Sequence, residues 1–316
     1  MGTTITMLKT IAIFIALAMP GLILVKTKMV KAEQTIILSK ILLYVGLPFL
    51  VFSTTAKLEL NSSTIWAIVI TAIISVVYTF LGFVLSKYLV KKVDGVDRKK
   101  MARFCMIAGN TGFLGIPLAQ AVFTDNPLVV TCVIVVNVFS VAVIYTMGAY
   151  ILCEDKKMIS AKGIITNPII IAFLLGLIAN ITKVYSIVPE VETYANYLTN
   201  IVTPLSMTVL GVKLGDTNFK KIFTNKLTYK VSFYRLIAYP VIITAILLII
   251  NIFVPVQPEL IYGIFIGNAM PVAASASTYA DNFNCDIEGC VLHTLGTTIL
   301  SIFTISILYF LLVLVI

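Results

Sequence analysis

Apolar runs about as long as a bilayer is thick alternate with short polar links along this whole chain. Ten such runs can be drawn, near 7–25, 36–56, 64–90, 102–123, 127–152, 165–182, 195–214, 231–254, 259–280 and 288–315. About 20 apolar residues cross a bilayer as one helix. The pattern therefore predicts an all-α polytopic membrane protein with ten transmembrane helices. Segment 1 reads as an uncleaved span, because no clear small-residue cleavage site follows it. Two of the runs carry residues that a lipid-crossing helix avoids. Segment 4 contains GNTGFLGIPL, Gly109 to Leu118, and segment 9 contains GNAMPVAASAS, Gly267 to Ser277. Each break opens with Gly-Asn and meets a proline a few residues on. Backbone groups freed there need partners inside the membrane. Paired breaks in the two halves point to a substrate site near the midplane of a transporter built from repeats.

The polar links sort by charge. Those after segments 1, 3, 5 and 7 are basic: Lys26, Lys28 and Lys31; Lys87, Lys91, Lys92, Arg98, Lys99, Lys100 and Arg103; Lys156, Lys157 and Lys162; Lys220, Lys221, Lys226 and Lys230. Those after even-numbered segments hold little beyond Lys57 and Lys183, beside Glu59, Asp125, Glu190, Glu192 and Glu259. Short loops rich in Lys and Arg stay on the cytoplasmic side. The odd links are therefore expected in the cytoplasm and both termini outside, in a multi-pass protein of the cell membrane. Composition agrees: of 316 residues 59% are hydrophobic and only 12% charged, with mean hydropathy +1.05. A soluble domain carries about a quarter charged residues. The net charge of +9 belongs to the links and suits contact with anionic lipid headgroups, not a nucleic-acid face. The five cysteines, Cys105, Cys132, Cys153, Cys285 and Cys290, form no CxxC and mostly lie in apolar runs. They read as small buried hydrophobes.

The two halves echo each other. Pro48 is followed by Lys57-Leu58, and Pro204 at the same spacing by Lys213-Leu214. Gly109-Asn110 in segment 4 corresponds to Gly267-Asn268 in segment 9, and Cys132-Val133 in segment 5 to Cys290-Val291 in segment 10. The first pair is offset by 156 residues and the other two by 158. Collinear matches at nearly constant offset predict a 5+5 duplication. Five spans is an odd number, so the second copy enters from the opposite face and the repeat is inverted. The expected organisation is a first five-helix repeat over 1–153, a cytoplasmic link at 154–164 and a second repeat over 165–316.

Candidate chemistry lies at the breaks and on the segments after them. Asn110 precedes Pro117 by seven residues, about two helical turns, so both are expected on one cavity wall. Gly109, Gly112 and Gly115 supply permissive backbone, and the Asn110 amide can donate and accept hydrogen bonds. Breaks at membrane depth expose half-helix N-termini, which favour anions. In segment 9, Asn268 and Pro271 lead into Ala273, Ala274, Ser275, Ala276, Ser277 and Thr278, a run too small and polar to face lipid. Segment 5 sets Asn137, Ser140 and Tyr145 near one face, and an intramembrane Asn is costly unless it faces protein or water. Segment 10 aligns His293, Thr297 and Ser301. Its lone histidine reads as a satisfied polar residue more readily than as a proton relay. Asp281 reads as an interfacial acid. The chain holds no GKS/T phosphate loop and no HExxH motif, which argues against an ATP-driven pump and a zinc hydrolase. No enzyme activity, metal or cofactor is expected.

Asn110-Thr111, Gly115-Ile116-Pro117-Leu118 and Ala269-Met270-Pro271 resemble the signature helices of the auxin efflux carrier family. That family includes plant carriers and bacterial permeases described as malate or malonate transporters. The resemblance covers the whole chain. It implies that segments 4 and 9 are broken helices crossing at mid-membrane, with Asn110 and Pro117 on the substrate-site helix and Asn137 beside it. Ala276 stands where plant members carry a further proline. The protein is then expected to be a secondary transporter, a permease for a small organic anion, in particular a carboxylate such as malate, working by alternating access. The expected substrate-binding residues are Asn110, Gly112, Pro117, Asn137, Tyr145, Asn268, Pro271, Ser275 and Ser277, with segments 1, 2, 6 and 7 as scaffold. The expected partners are the organic anion and membrane lipid; a homodimer is compatible with the sequence, and nucleic acid is not. Two other readings stay open here. One is a sodium- or proton-coupled symporter or exporter of amphipathic anions. The other is a membrane receptor or accessory subunit that binds without transporting.

Overall fold

The computed structural model describes residues 2–153, 161–216 and 219–316. Most of the expected link at 154–164, with Lys156 and Lys157, lies outside the described residues. Those described are helical, with one isolated β-bridge and no strand. The main helices are α1 (Gly2–Lys26), α2 (Ala32–Ala56), α3 (Ser62–Leu89), α4 (Val96–Ile107), α5 (Thr111–Val122), α6 (Pro127–Cys153) and α7 (Pro168–Ile181). They continue with α8 (Pro189–Asn200), α9 (Val202–Gly215), α10 (Lys226–Phe253), α11 (Pro258–Asn268), α12 (Ala276–Asn282) and α13 (Ile287–Val315). Among the described residues, six helices are continuous, long and apolar enough to cross a membrane: α1, α2, α3, α6, α10 and α13. The expected segments 4 and 9 are each divided in two.

Local chemistry explains where the helices start and bend. Pro127, Pro168, Pro189 and Pro258 open α6, α7, α8 and α11, where a missing N–H is no loss. Asn61 caps α3 by accepting from Thr64 N at 2.9 Å, and Asn167 caps α7 by accepting from Ile169 N at 2.9 Å. Wide π turns interrupt four helical stretches at Leu42–Gly46, Thr111–Gly115, Ile144–Gly148 and Tyr234–Ala238. Three of them end two residues before Pro48, Pro117 and Pro240. Proline cannot donate to the helix ladder and crowds the carbonyl four residues back. An i→i+5 turn opens the ladder at that point.

The side-chain pattern is that of a protein in lipid. α3 buries Thr64, Ala67, Thr71, Ser75, Tyr78, Gly82 and Ser86, and exposes Ile65, Trp66, Val69, Ile73, Val76, Val77 and Phe80. A soluble amphipathic helix does the reverse. Two of the buried hydroxyls are satisfied within the helix, Thr71 Oγ1 donating to Ala67 O and Ser75 Oγ to Thr71 O, both at 2.7 Å, while Tyr78 Oη lies 3.4 Å from Ser140 Oγ of α6.

In lipid, helices associate through close packing of small residues. α1 lies along α9, where a Cβ on Gly211 would collide with the Ala18 carbonyl and one on Gly21 with the Thr208 carbonyl. α7 lies along α2, with Gly176 against Phe52 and Thr55. Asn180 Nδ2 closes the end of α2, donating to Thr55 O at 3.1 Å, to Ala56 O at 2.9 Å and to Leu58 O. Overpacking such a contact costs about 1–3 kcal/mol. Gly211→Val is therefore expected to lower the melting temperature of the detergent-purified protein by several degrees. An unchanged melting temperature would show that α1 and α9 can separate freely.

Candidate functional site

The two breaks meet. α4 ends at Ile107 and α5 begins at Thr111, while α11 ends at Asn268 and α12 begins at Ala276. The pieces between them pair antiparallel through a bridge between Gly109 and Val272. Asn110 N donates to Pro271 O at 2.8 Å, and Ala273 N to Ala108 O at 2.9 Å. Val272 N donates to Thr297 Oγ1 at 3.0 Å, and Thr111 Oγ1 to Gly267 O at 2.9 Å. The two broken segments, with Thr297 of α13, thus supply partners for the backbone groups that the breaks free, as membrane depth requires.

A cavity of about 1050 Å³ reaches this crossing. Asn110, Gly112, Asn137, Tyr145, Ser275 and Ser277 line it, with Gly109, Ser140, Ala274 and Tyr279. A recess of about 40 Å³ shares Asn110 with it and is also lined by Phe113, Ser206, Lys213, Thr294 and Thr298. Asn137 is only 4% exposed, and its Nδ2 has no hydrogen-bond partner. Its amide faces the break, since a Cβ on Gly112 would lie 3.2 Å from Asn137 Oδ1. A buried amide donor without a partner is costly. Asn137 lines the cavity, so turning its amide toward that space would let a ligand satisfy the donor.

Three expected site residues lie elsewhere. Pro117, Asn268 and Pro271 are buried and line neither space. Pro117 follows the π turn at Thr111–Gly115, and that wider turn destroys the two-turn register with Asn110. Asn268 turns back into its own helix, with Nδ2 donating to Ile264 O at 2.8 Å. Pro271 contributes its carbonyl, which accepts from Asn110 N. The half-helix N-termini are also a weaker source of positive potential than expected. α12 has seven residues, and a macrodipole is the sum of few aligned peptides in so short a helix.

Two cationic side chains outside the expected set place fixed charge at the site. Lys213 of α9 is half-buried and lines both the cavity and the recess. The other charged residues on the cavity, Glu33, Lys40, Asp216, Lys221, Asp281 and Glu288, are exposed. Lys221 Nζ and Glu288 Oε1 pair at 2.7 Å. Arg235 of α10 lies behind the crossing, where its Nε donates to Met270 O at 2.9 Å. The legible signal for both was a basic residue inside an apolar segment. His293 of α13 is buried away from the cavity, with Nδ1 2.9 Å from Thr228 Oγ1.

A multi-pass helical protein whose two broken helices meet beside a cavity lined by apolar and polar side chains has the build of a membrane transporter. The chain belongs to the membrane transport protein family, which it matches over residues 6–309, the family of the auxin efflux carriers. That family comprises transporters and not enzymes. The chain is also similar to the Uncharacterized transporter MJ1031 of Methanocaldococcus jannaschii, 26% identical over 199 residues, 60% of this chain. The match spans 63% of the length of that relative.

Proposed function

We propose that the protein is a secondary transporter of small organic anions, in particular carboxylates such as malate, working by alternating access in the cell membrane. The observation that carries this reading is the lining of the cavity. Asn110, buried Asn137 and half-buried Lys213 all line the one space that reaches the crossing. A carboxylate is held best by hydrogen-bond donors together with a cation. Tyr145, Ser275 and Ser277 add hydroxyls on the same wall.

Topology and mechanism follow from the same reading. The mouth is bordered by Glu33, Lys40, Asp216 and Lys221, next to the basic links after segments 1 and 7. That side is cytoplasmic, both termini are outside, and the conformation is open inward. On the opposite side Phe123 stacks on Tyr262 at 5.8 Å, Tyr262 packs on Tyr309 at 5.7 Å, and Lys57 pairs with Glu192 at 2.7 Å. The chain makes ten spans in two inverted five-helix repeats, 1–153 and 165–316, joined by the link at 154–164. α1, α2 and α7 to α9 form the scaffold against which the crossing moves. Asn110→Ala is expected to lower malate counterflow in proteoliposomes about tenfold or more, the equivalent of at least about 1.4 kcal/mol. An Asn110→Ala protein exchanging malate at the wild-type rate would remove Asn110 from the site.

A further inference from the structure

We propose that Arg235 makes the crossing selective for negative charge, acting on the bound substrate through the main chain that covers it. The inference rests on the anion reading above and names the group that supplies the selectivity. Arg235 is 2% exposed on a helix that can cross the membrane. Among the described residues no carboxylate forms an ion pair with it. Its ionisable neighbours are the phenols of Tyr239, Tyr78 and Tyr234. A guanidinium does not give up its proton in proteins, and a buried charge without a counter-ion is costly in a membrane. A neutral donor would hold the Met270 carbonyl equally well, so that bond alone does not explain the charge.

The surrounding structure is shaped to keep it there. Arg235 sits in the π turn Tyr234–Ala238, a deviation that often marks functional positions. Its guanidinium lies 5.5 Å over the Tyr239 ring, and Tyr239 Oη donates to Tyr78 O at 2.9 Å, which fixes that ring. Nη1 has no hydrogen-bond partner. In front stands Gly109, where any Cβ would land on the guanidinium. Gly109 and Asn110 also form the cavity wall, whereas Arg235 itself does not line the cavity. One layer of backbone therefore separates the charge from the space where a substrate would lie. With little water between, such a charge sets a strong positive potential on the cavity side. Lys213 of α9 adds a second cation on the cavity wall.

The test uses the purified full chain in proteoliposomes with labelled malate. Arg235→Gln keeps a donor for Met270 O and removes the charge. Its half-saturating malate concentration rises at least about tenfold, whereas Arg235→Lys, which keeps the charge but not the stacked fork, loses clearly less than Arg235→Gln. Tyr239→Glu puts a carboxylate beneath the intact guanidinium and reproduces the loss; Tyr239→Gln, of the same size and neutral, does not. The Tyr239 pair decides the matter if Arg235→Gln does not fold, because the two variants lose the same phenol and differ only in charge. Wild-type half-saturation in Arg235→Gln, or equal behaviour of Tyr239→Glu and Tyr239→Gln, overturns the role of Arg235 and leaves the anion reading standing. A wild-type protein that moves none of malate, malonate and lactate overturns the anion reading and this inference with it.

Discussion

Gly109→Ala is expected to reduce malate uptake into proteoliposomes to less than about a tenth of the wild-type rate, although it adds one methyl group. The added carbon would fall on the Arg235 guanidinium. That group has little freedom to retreat, because Nε is bonded to Met270 O and the guanidinium packs on the Tyr239 ring. The alternative is to push the chain away, which opens the Gly109–Val272 bridge and strains the bonds from Asn110 N to Pro271 O and from Ala273 N to Ala108 O. Overpacking costs about 1–3 kcal/mol, and a buried backbone group left without a partner about as much again. A tenfold loss corresponds to only about 1.4 kcal/mol. The melting temperature should fall together with transport. Gly112→Ala is the comparison: its Cβ would meet the Asn137 amide at 3.2 Å, a side chain able to shift slightly, so a milder loss is expected. If Gly109→Ala transported at the wild-type rate, the guanidinium would have to be mobile and the crossing would not be held as described.

Lys213→Met should raise the half-saturating malate concentration about ten- to a hundredfold. A hydrogen bond to a charged group contributes about 1.5–3 kcal/mol, and each tenfold corresponds to about 1.4 kcal/mol. Two unit charges about 4 Å apart at an effective dielectric constant of about 20 attract by about 4 kcal/mol, an upper bound for a side chain that is only half-buried. Lys213→Arg keeps the charge and should lose much less than Lys213→Met. Lys221→Met should change affinity less than about twofold, because Lys221 is exposed, already paired with Glu288 and screened by salt. Equal affinities for wild type and Lys213→Met would mean that neutral donors alone hold the substrate.

Much of this architecture was legible in the sequence. Segments 64–90, 127–152 and 288–315 correspond to continuous helices at Ser62–Leu89, Pro127–Cys153 and Ile287–Val315, because length and hydropathy suffice to define a span. The breaks after Ile107 and Asn268 fall where Gly, Asn and Pro cluster. The orientation of individual side chains at those breaks was not legible. A regular helix would put Pro117 on the cavity wall with Asn110, and the π turn at Thr111–Gly115 moves it away. Asn268 looks equivalent to Asn110 in sequence, yet it bonds to Ile264 O while Asn110 borders the cavity. Arg235 carried a signal, an arginine within an apolar run, but no sequence pattern tied it to Gly109 or Met270.

By itself the sequence determined the membrane class, the extent of the six continuous spanning helices and the two places where a helix must fail. These are local properties, since hydropathy, the missing proline N–H and the short polar side chain act within a turn or two of the residue concerned. Tertiary structure alone decided that 108–110 pairs with 271–273, that Asn137 and Lys213 border the same space as Asn110, and that a glycine with no Cβ admits the guanidinium of Arg235. Those outcomes join residues far apart in the chain. They depend on which backbone groups remain without partners after every helix has formed, and inside a membrane only another part of the protein can satisfy them.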